Sequence, residues 1–202
     1  MSVDAARNAP LTLDDISDAR AYEREREGFR ESIIALKKLR RVQVGPVISF
    51  VFENRDTIRF QIQEMARAER IYTDEAIDVE LQTYNPLIPQ KGHLSATMFL
   101  ELTTRAEMEH WLPRLVGIEQ SAKLLLPGGD SVIATVEGAH AAQLTRDEMT
   151  ASVHYVNFSL NDEQIGDFRS GEVRLALDHP EYRHQTVLSD ATKDSLAGDL
   201  MG

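Results

Sequence analysis

The chain has 202 residues, of which 42% are hydrophobic and 27% charged, a composition typical of one globular domain with a sizeable core. Its net charge is −11, so nucleic acid and anionic membrane surfaces are unfavourable partners. The sequence contains no cysteine. Disulfides, thiol nucleophiles and thiolate-bound zinc or iron–sulfur clusters held by this chain are therefore excluded.

Targeting signals are not apparent in the sequence. Residues 1–10 are polar and alanine-rich, without the apolar core of a signal peptide. No stretch approaches the roughly 20 apolar residues that span a bilayer. We therefore expect a cytoplasmic protein that makes no use of a membrane, with a flexible N-terminus over residues 1–10.

A long helix is predicted first. Thr12 and Asp15 have the spacing of a capping box, and an apolar stripe continues to about Arg41. Gly28 is expected to bend this helix or divide it in two. It closes with "KKLRR", whose cations suit a helix C-terminus. A patch that binds phosphate or carboxylate groups is the alternative interpretation of these cations.

Strand and helix alternate over the next part of the chain. "VQVGPVISFVF" predicts two strand segments that meet at Gly45-Pro46, because proline is confined to strand edges and bulges. Residues 47–52 are almost wholly apolar, as in a strand covered on both faces. Asn54 caps the helix that follows, and Thr73 caps a second helix that ends before Pro86.

Antiparallel strands dominate the remainder. "HLSATMFLEL" alternates as a half-buried strand, and Thr104 with Glu107 caps a helix that breaks near Pro113. A Gly-Gly hairpin, a strand, a short helix and two further strands follow, with a C-terminal helix or tail over residues 191–202. The fold class is therefore α+β, with N-terminal helices packed on a mainly antiparallel sheet in a single domain over residues 11–190.

The helix after Asn54 carries the densest set of hydrogen-bonding side chains. Its apolar side is predicted to hold Ile58, Ile62 and Met65. Arginine and glutamine offer planar donors that suit carboxylates or a partner surface. One hypothesis is thus a ligand or partner site, and ion pairs within the domain or with solvent are the alternative. The candidate residues are Glu53, Arg55, Arg59, Gln63, Glu64 and Arg67.

A weaker candidate is a metal site. Asp178, His179, Glu181 and His184 could converge on a divalent ion or form an acid–base pair, and a polar turn between strands is the alternative. No other cofactor is predicted.

Glutamate and histidine three residues apart, as in di-iron helical bundles, occur at three places, with surface histidines as the alternative. The three pairs are Glu107/His110, Glu137/His140 and Glu181/His184. His154 is expected to be packed or hydrogen-bonded, and Trp111 to belong to the core or to an aromatic platform.

Four stretches of the sequence together resemble one protein family. "VGPVISFVFENRDTIRFQIQEMARAERI", "EAIDVELQTYNPLIP", "LSATMFLEL" and "WLPRLVGIE" resemble the bacterial domain-of-unknown-function family DUF3501, over about residues 11–190. That family has no established activity, so the resemblance assigns no catalytic residues. Its members are often encoded beside rubrerythrin-like proteins and cysteine-rich iron–sulfur oxidoreductases, so the resemblance implies an accessory role in a redox or peroxide-defence system.

The leading functional hypothesis is therefore a non-catalytic accessory or interaction protein. Its partner would be a rubrerythrin-like or iron–sulfur protein, and the chain itself could pair as a homodimer. The alternative is a metal- or small-ligand-binding protein, or an enzyme, with a site of glutamate, histidine and arginine.

Overall fold

A computed structural model describes residues 7–136 and 149–202. These residues form six α-helices and two antiparallel sheets in one α+β domain, where the sequence predicted a single sheet. The helices are α1 (Ala19–Arg40), α2 (Arg55–Glu69), α3 (Asp74–Tyr84), α4 (Arg105–Trp111), α5 (Asp162–Ser170) and α6 (Asp190–Met201). The strands are β1 (Arg41–Val44), β2 (Ile48–Glu53), β3 (His93–Leu100), β4 (Ala122–Leu125), β5 (Ser131–Ile133), β6 (Thr135–Val136), β7 (Val153–Ser159), β8 (Arg174–His179) and β9 (Tyr182–Val187).

The two sheets are connected at both ends. The first has the strand order β1-β2-β3-β7-β6 and the second β5-β4-β8-β9. Only Ala134 separates β5 from β6, so one short segment passes from sheet to sheet. At the opposite ends, the Thr186 hydroxyl donates to the Gln43 carbonyl at 2.6 Å, which joins β9 to β1. In the described part of the chain, no helix is both long and apolar enough to cross a membrane.

The main core lies between the sheets. Ile48, Phe50 and Phe52 alternate along β2 and point into it, together with Leu124 of β4 and Leu175 of β8. Burying each such side chain contributes about 1.5–3 kcal/mol.

The C-terminal helix belongs to the same core. Leu196 and Leu200 of α6 are fully buried within it. The helix that the sequence set apart as residues 191–202 is therefore integral to the domain.

A second core forms where α2 and α3 cover the outer face of the first sheet. Ile58 and Ile62 of α2 pack with Ile77 and Leu81 of α3, and Tyr155 of β7 packs against them. The prediction that β3 is half-buried was wrong, because these helices cover its polar side. Its serine and threonine are small and can bond locally, which makes their burial tolerable.

The N-terminal segment differs from the expected long helix. The Thr12–Asp15 capping box closes only one 3₁₀ turn, and Asp18 caps α1 separately. Gly28 lies within a continuous α1, so it does not divide the helix in two. Asn8, within the segment expected to be flexible, donates to the carbonyls of Pro89 and Asp199 at 2.9 and 3.2 Å.

Gly45 occupies the tight turn between β1 and β2. Its φ is +73°, and a Cβ atom there would lie 2.5 Å from the Tyr182 hydroxyl oxygen. That hydroxyl donates to the Val44 carbonyl at 2.8 Å and accepts from the Val47 N–H at 3.1 Å. Glycine is needed here for both conformation and space.

A buried arginine joins α1, β2 and α6. Arg40 is 1% exposed and donates to the carbonyls of Phe52 and Glu53 at 2.7 and 2.9 Å. It also donates to the Ser195 hydroxyl at 3.0 Å and forms an ion pair with Asp199. Burial raises the pKa of the Asp199 carboxyl, and the Arg40 charge lowers it in part.

Candidate functional site

The N-terminal half of α2 holds the segment that precedes α1. Arg55 pairs with the Asp15 carboxylate at 2.6 Å and donates to the Ala9 carbonyl at 3.1 Å. Arg59 donates to the Asp15 carbonyl at 2.8 Å, and its guanidinium carbon lies 4.8 Å from the Phe29 ring centroid. Both arginines therefore serve contacts within the domain.

The middle of α2 bonds both to the segment before α1 and to α1 itself. Gln63 is 2% exposed; its amide accepts from the Ser17 N–H at 2.8 Å and donates to the Ser17 carbonyl at 3.2 Å. Glu64 accepts from the Arg26 Nε and Nη2 at 2.7 and 2.8 Å, and from the Tyr22 hydroxyl at 2.7 Å. The Arg26 hydrogen bonds, assisted by Tyr22, hold the pKa of Glu64 below its usual range.

Arg67 and Glu53, the two remaining candidates, also have partners within the domain. Arg67 pairs with Glu23 of α1. Glu53 is buried beneath the helices and accepts from the Thr97 hydroxyl at 2.7 Å. All six candidate residues thus have a partner within the chain, as the intradomain alternative predicts. Only Gln63 and Arg67 also face the larger cleft described below, while Arg55 borders a smaller one beside Arg40.

The β8–β9 hairpin does not bring the four metal candidates together. Asp178 pairs with Arg183 across the strands, so by strand alternation it faces away from His179 and His184. In residues 7–136 and 149–202, no three histidine, aspartate or glutamate side chains are placed to hold a metal ion.

Each of the four has another role or position. Asp178 pairs with Lys123 at 2.9 Å, which lowers the pKa of its carboxyl. His179 donates to the Val116 carbonyl at 3.2 Å, and the His184 ring lies 4.5 Å from the Tyr182 ring. Glu181 lies in the two-residue turn between the strands.

The glutamate and histidine of the helical pair make separate contacts. Glu107 completes the capping box of α4, while His110 contacts Arg114. Glu137 and His140 lie outside the described residues.

The aromatic and basic candidates are largely structural. Trp111 is half-buried against the main core and contacts the Tyr182 ring edge-on, at 5.7 Å between centroids. In "KKLRR", Arg40 is buried and Arg41 pairs with Glu101. The patch considered for phosphate groups therefore loses two of its four cations.

A buried acid–base pair was missed from the sequence. His154 is 3% exposed, as expected for a packed histidine, and its Nε2 lies 3.0 Å from the Thr150 hydroxyl and 2.9 Å from the Ala151 carbonyl. Its Nδ1 is 3.7 Å from the Glu119 carboxylate. Burial lowers the pKa of His154, and the Glu119 charge opposes that effect. No local spacing links these two residues.

A cleft of about 810 Å³ opens where the start of α1, the end of α2 and the start of α3 meet. Its floor is largely apolar, whereas its rim carries guanidinium groups, carboxylates and an aromatic ring. The floor includes Leu13, Ile16, Ile71 and Ile77, and the rim includes Arg20, Arg67, Arg70 and Tyr72. We call this feature the helical cleft.

Arg70 has an unusual backbone conformation for its side chain. It ends α2 with φ 57° and ψ 45°, a position where glycine is favoured. Among the described residues, it is the sole non-glycine with positive φ. Its N–H and that of Ile71 both donate to the Ala66 carbonyl, which closes the helix.

The chain is similar to known sequences of undetermined role. The model of the family described as "Protein of unknown function (DUF3501)" matches residues 10–200. A crystal structure of a novel protein of unknown function from Burkholderia pseudomallei K96243 is 34% identical, with a TM-score of 0.87. The match covers 95% of this chain and 100% of that one. A comparison with curated proteins gives no match. The chain therefore belongs to the DUF3501 family, as its sequence motifs predicted.

Proposed function

We propose that this protein is a cytoplasmic, non-catalytic accessory protein of a bacterial redox system and binds its partner at the helical cleft. The observation that carries the proposal is the cleft itself, with Tyr72 70% exposed at its rim. An exposed tyrosine and arginines around an apolar concave surface are typical of the residues that dominate protein interfaces.

The partner class follows from the family resemblance together with the composition. The resemblance implies a redox context, because members of the family are often encoded beside rubrerythrin-like proteins and iron–sulfur oxidoreductases. A chain without cysteine lacks the usual ligands of an iron–sulfur cluster. In this proposal, the partner carries the metal centre and this protein supplies a recognition surface.

Affinity capture from the native bacterium tests the proposal. Ala68 lines the cleft and is exposed, so Ala68→Trp fills the cleft without disturbing the core. Ala35→Trp, at an exposed position of α1 that does not line the cleft, is the matched control. We expect a rubrerythrin-like or iron–sulfur protein to co-purify with the wild type and Ala35→Trp, and to be lost with Ala68→Trp. Capture of neither class by the wild type would refute the proposal.

A small-ligand-binding protein is the second candidate, because the cleft volume lies within the range of ligand pockets, about 300–1,000 Å³. Native mass spectrometry of the untagged protein addresses this candidate directly. A tightly held ligand or divalent metal adds to the protomer mass, and a homodimer doubles it. A bare protomer mass argues against tight ligand or metal binding and against a stable homodimer.

A further inference from the structure

We infer that the partner segment that occupies the helical cleft is both acidic and apolar. Its carboxylates would pair with Arg20 and Arg70, and its apolar side chains would pack on the floor of the cleft. This inference rests on the proposed function and specifies the chemistry of the segment that is recognised.

The carboxylates around the cleft already have favourable positions. Glu23 pairs with Arg67. Asp18 accepts from the N–H groups of Arg20 and Ala21 at 2.9 and 2.8 Å. Asp74 is the first residue of α3, where the helix dipole favours a negative charge. None of the three therefore depends on Arg70 for its stabilisation.

Two guanidinium groups remain without an ion pair among the described residues, although the charge of Arg20 is a minor cause of the lowered pKa of Asp18, after the Ala21 and Arg20 N–H groups that donate to it. Neither Arg20 nor Arg70 has an ion pair within 4.0 Å in the described part of the chain, and both are exposed. A partner that covers the cleft removes water from these charges, which is unfavourable unless it brings compensating acceptors. Carboxylates satisfy planar guanidinium groups with two hydrogen bonds each.

The conformation of Arg70 supports a role for its side chain. A left-handed conformation is unfavourable for a residue with a Cβ atom, whereas glycine adopts it freely. The local fold alone would therefore favour glycine at this position. An arginine that contributes to binding accounts for the retained cost.

The floor sets the second requirement. Leu13, Ile16 and Ile71 are only half-buried and border the second core. Covering them removes apolar surface from water, which favours binding. A wholly charged segment would leave this contribution unused, so the segment must carry apolar side chains as well.

Site-specific photo-cross-linking in the native bacterium tests the inference. A benzophenone amino acid replaces Tyr72 at the rim of the cleft or, as a control, Ile133 on β5, which is 64% exposed. Cross-linked partner peptides are identified by mass spectrometry. We expect cross-links from position 72 to a peptide rich in both acidic and apolar residues, and none from position 133.

The outcomes separate the inference from the proposed function. Cross-links from position 72 to a basic segment or to a small molecule overturn the inference. Cross-links to a redox protein from position 133 alone also overturn it, yet leave the accessory function standing. If affinity capture recovers no redox protein and neither position cross-links to one, the proposed function fails with it.

Charge variants give an independent measurement on the captured partner. Arg20→Gln with Arg70→Gln removes two positive charges from the cleft, and Arg30→Gln with Lys38→Gln removes two from exposed positions on α1. We expect the Kd to rise about tenfold or more for the first pair and less than about twofold for the second. Equal effects of the two pairs would show that only net charge matters, and would overturn the inference.

Discussion

Replacing Arg40 with methionine removes the guanidinium that joins α1, β2 and α6 in the interior. The change leaves the buried Asp199 carboxylate without its counterion and deprives the Phe52 and Glu53 carbonyls of a donor. Breaking a buried ion pair from one side costs about 3–5 kcal/mol. For a chain of this size, that loss lowers the Tm by roughly 6–20 °C.

The loss of stability in Arg40→Met should increase as the pH rises. Burial raises the pKa of Asp199 even in the presence of Arg40, and removal of Arg40 raises it further. A carboxyl whose pKa is raised on folding destabilises the fold as the pH rises through the folded pKa. Protonation in acid removes this cost. The difference between Arg40→Met and the wild type should therefore be larger at pH 7 than at pH 5.

Urea unfolding followed by circular dichroism measures both effects. Arg30→Met, an exposed arginine on the same helix, is the control and should change the free energy of unfolding by less than about 0.5 kcal/mol. Adding Asp199→Leu to Arg40→Met should recover part of the loss, because neither member of the pair then leaves an unpaired buried charge. A loss below about 1 kcal/mol for Arg40→Met at pH 7 would contradict this account of the interior.

Three further changes test individual contacts. Glu64→Gln weakens the hydrogen bonds from Arg26 and Tyr22 and should lower the free energy of unfolding by about 1–3 kcal/mol at pH 7. Because the pKa of Glu64 is lowered from 4.5 in the folded protein, this difference from the wild type should persist above pH 4.5 and fade in stronger acid. A difference that stays constant down to pH 2 would refute the assignment. Gly28→Ala should raise the free energy of unfolding, measured by chemical denaturation, by about 0.5–1 kcal/mol, because the position is helical and exposed and an added Cβ atom has no neighbour within 4 Å. A decrease would show that Gly28 has a further role. Gly45→Ala should lower stability by more than about 1 kcal/mol, since its Cβ would collide with Tyr182; an unchanged unfolding midpoint would contradict the turn geometry.

Local features of the sequence predict local structure well. The caps at Asn54 and Thr104 depend on residues within four positions, and both form as predicted. The same holds for the strand break at Gly45-Pro46, because proline fixes its own φ and glycine can adopt the positive φ that the turn requires.

Long-range pairing is where prediction from the sequence falls short. Gln63 is a candidate for a ligand or partner site in the sequence, yet its side chain is buried because Ser17, 46 residues earlier, packs against α2 and hydrogen-bonds to it. Met65 was expected on the core side, but Ala66 is more deeply buried. The division into two sheets and the helical cleft likewise depend on how distant elements pack. In the sequence, Arg20 and Arg70 resemble ordinary surface charges. Only the packing of the ends of α1, α2 and α3 places both at one cleft.

The contacts between the two ends of the chain have a consequence for biosynthesis. The Asn8 side chain bonds to the Asp199 carbonyl, 191 residues later, and Arg40 reaches Asp199 and Ser195, 159 and 155 residues away. The ion pair between Arg40 and Asp199 therefore cannot form until nearly all of α6 has been synthesised and has left the ribosome. A nascent chain stalled before residue 190 lacks α6, and Arg40 then has neither Asp199 nor Ser195 as a partner.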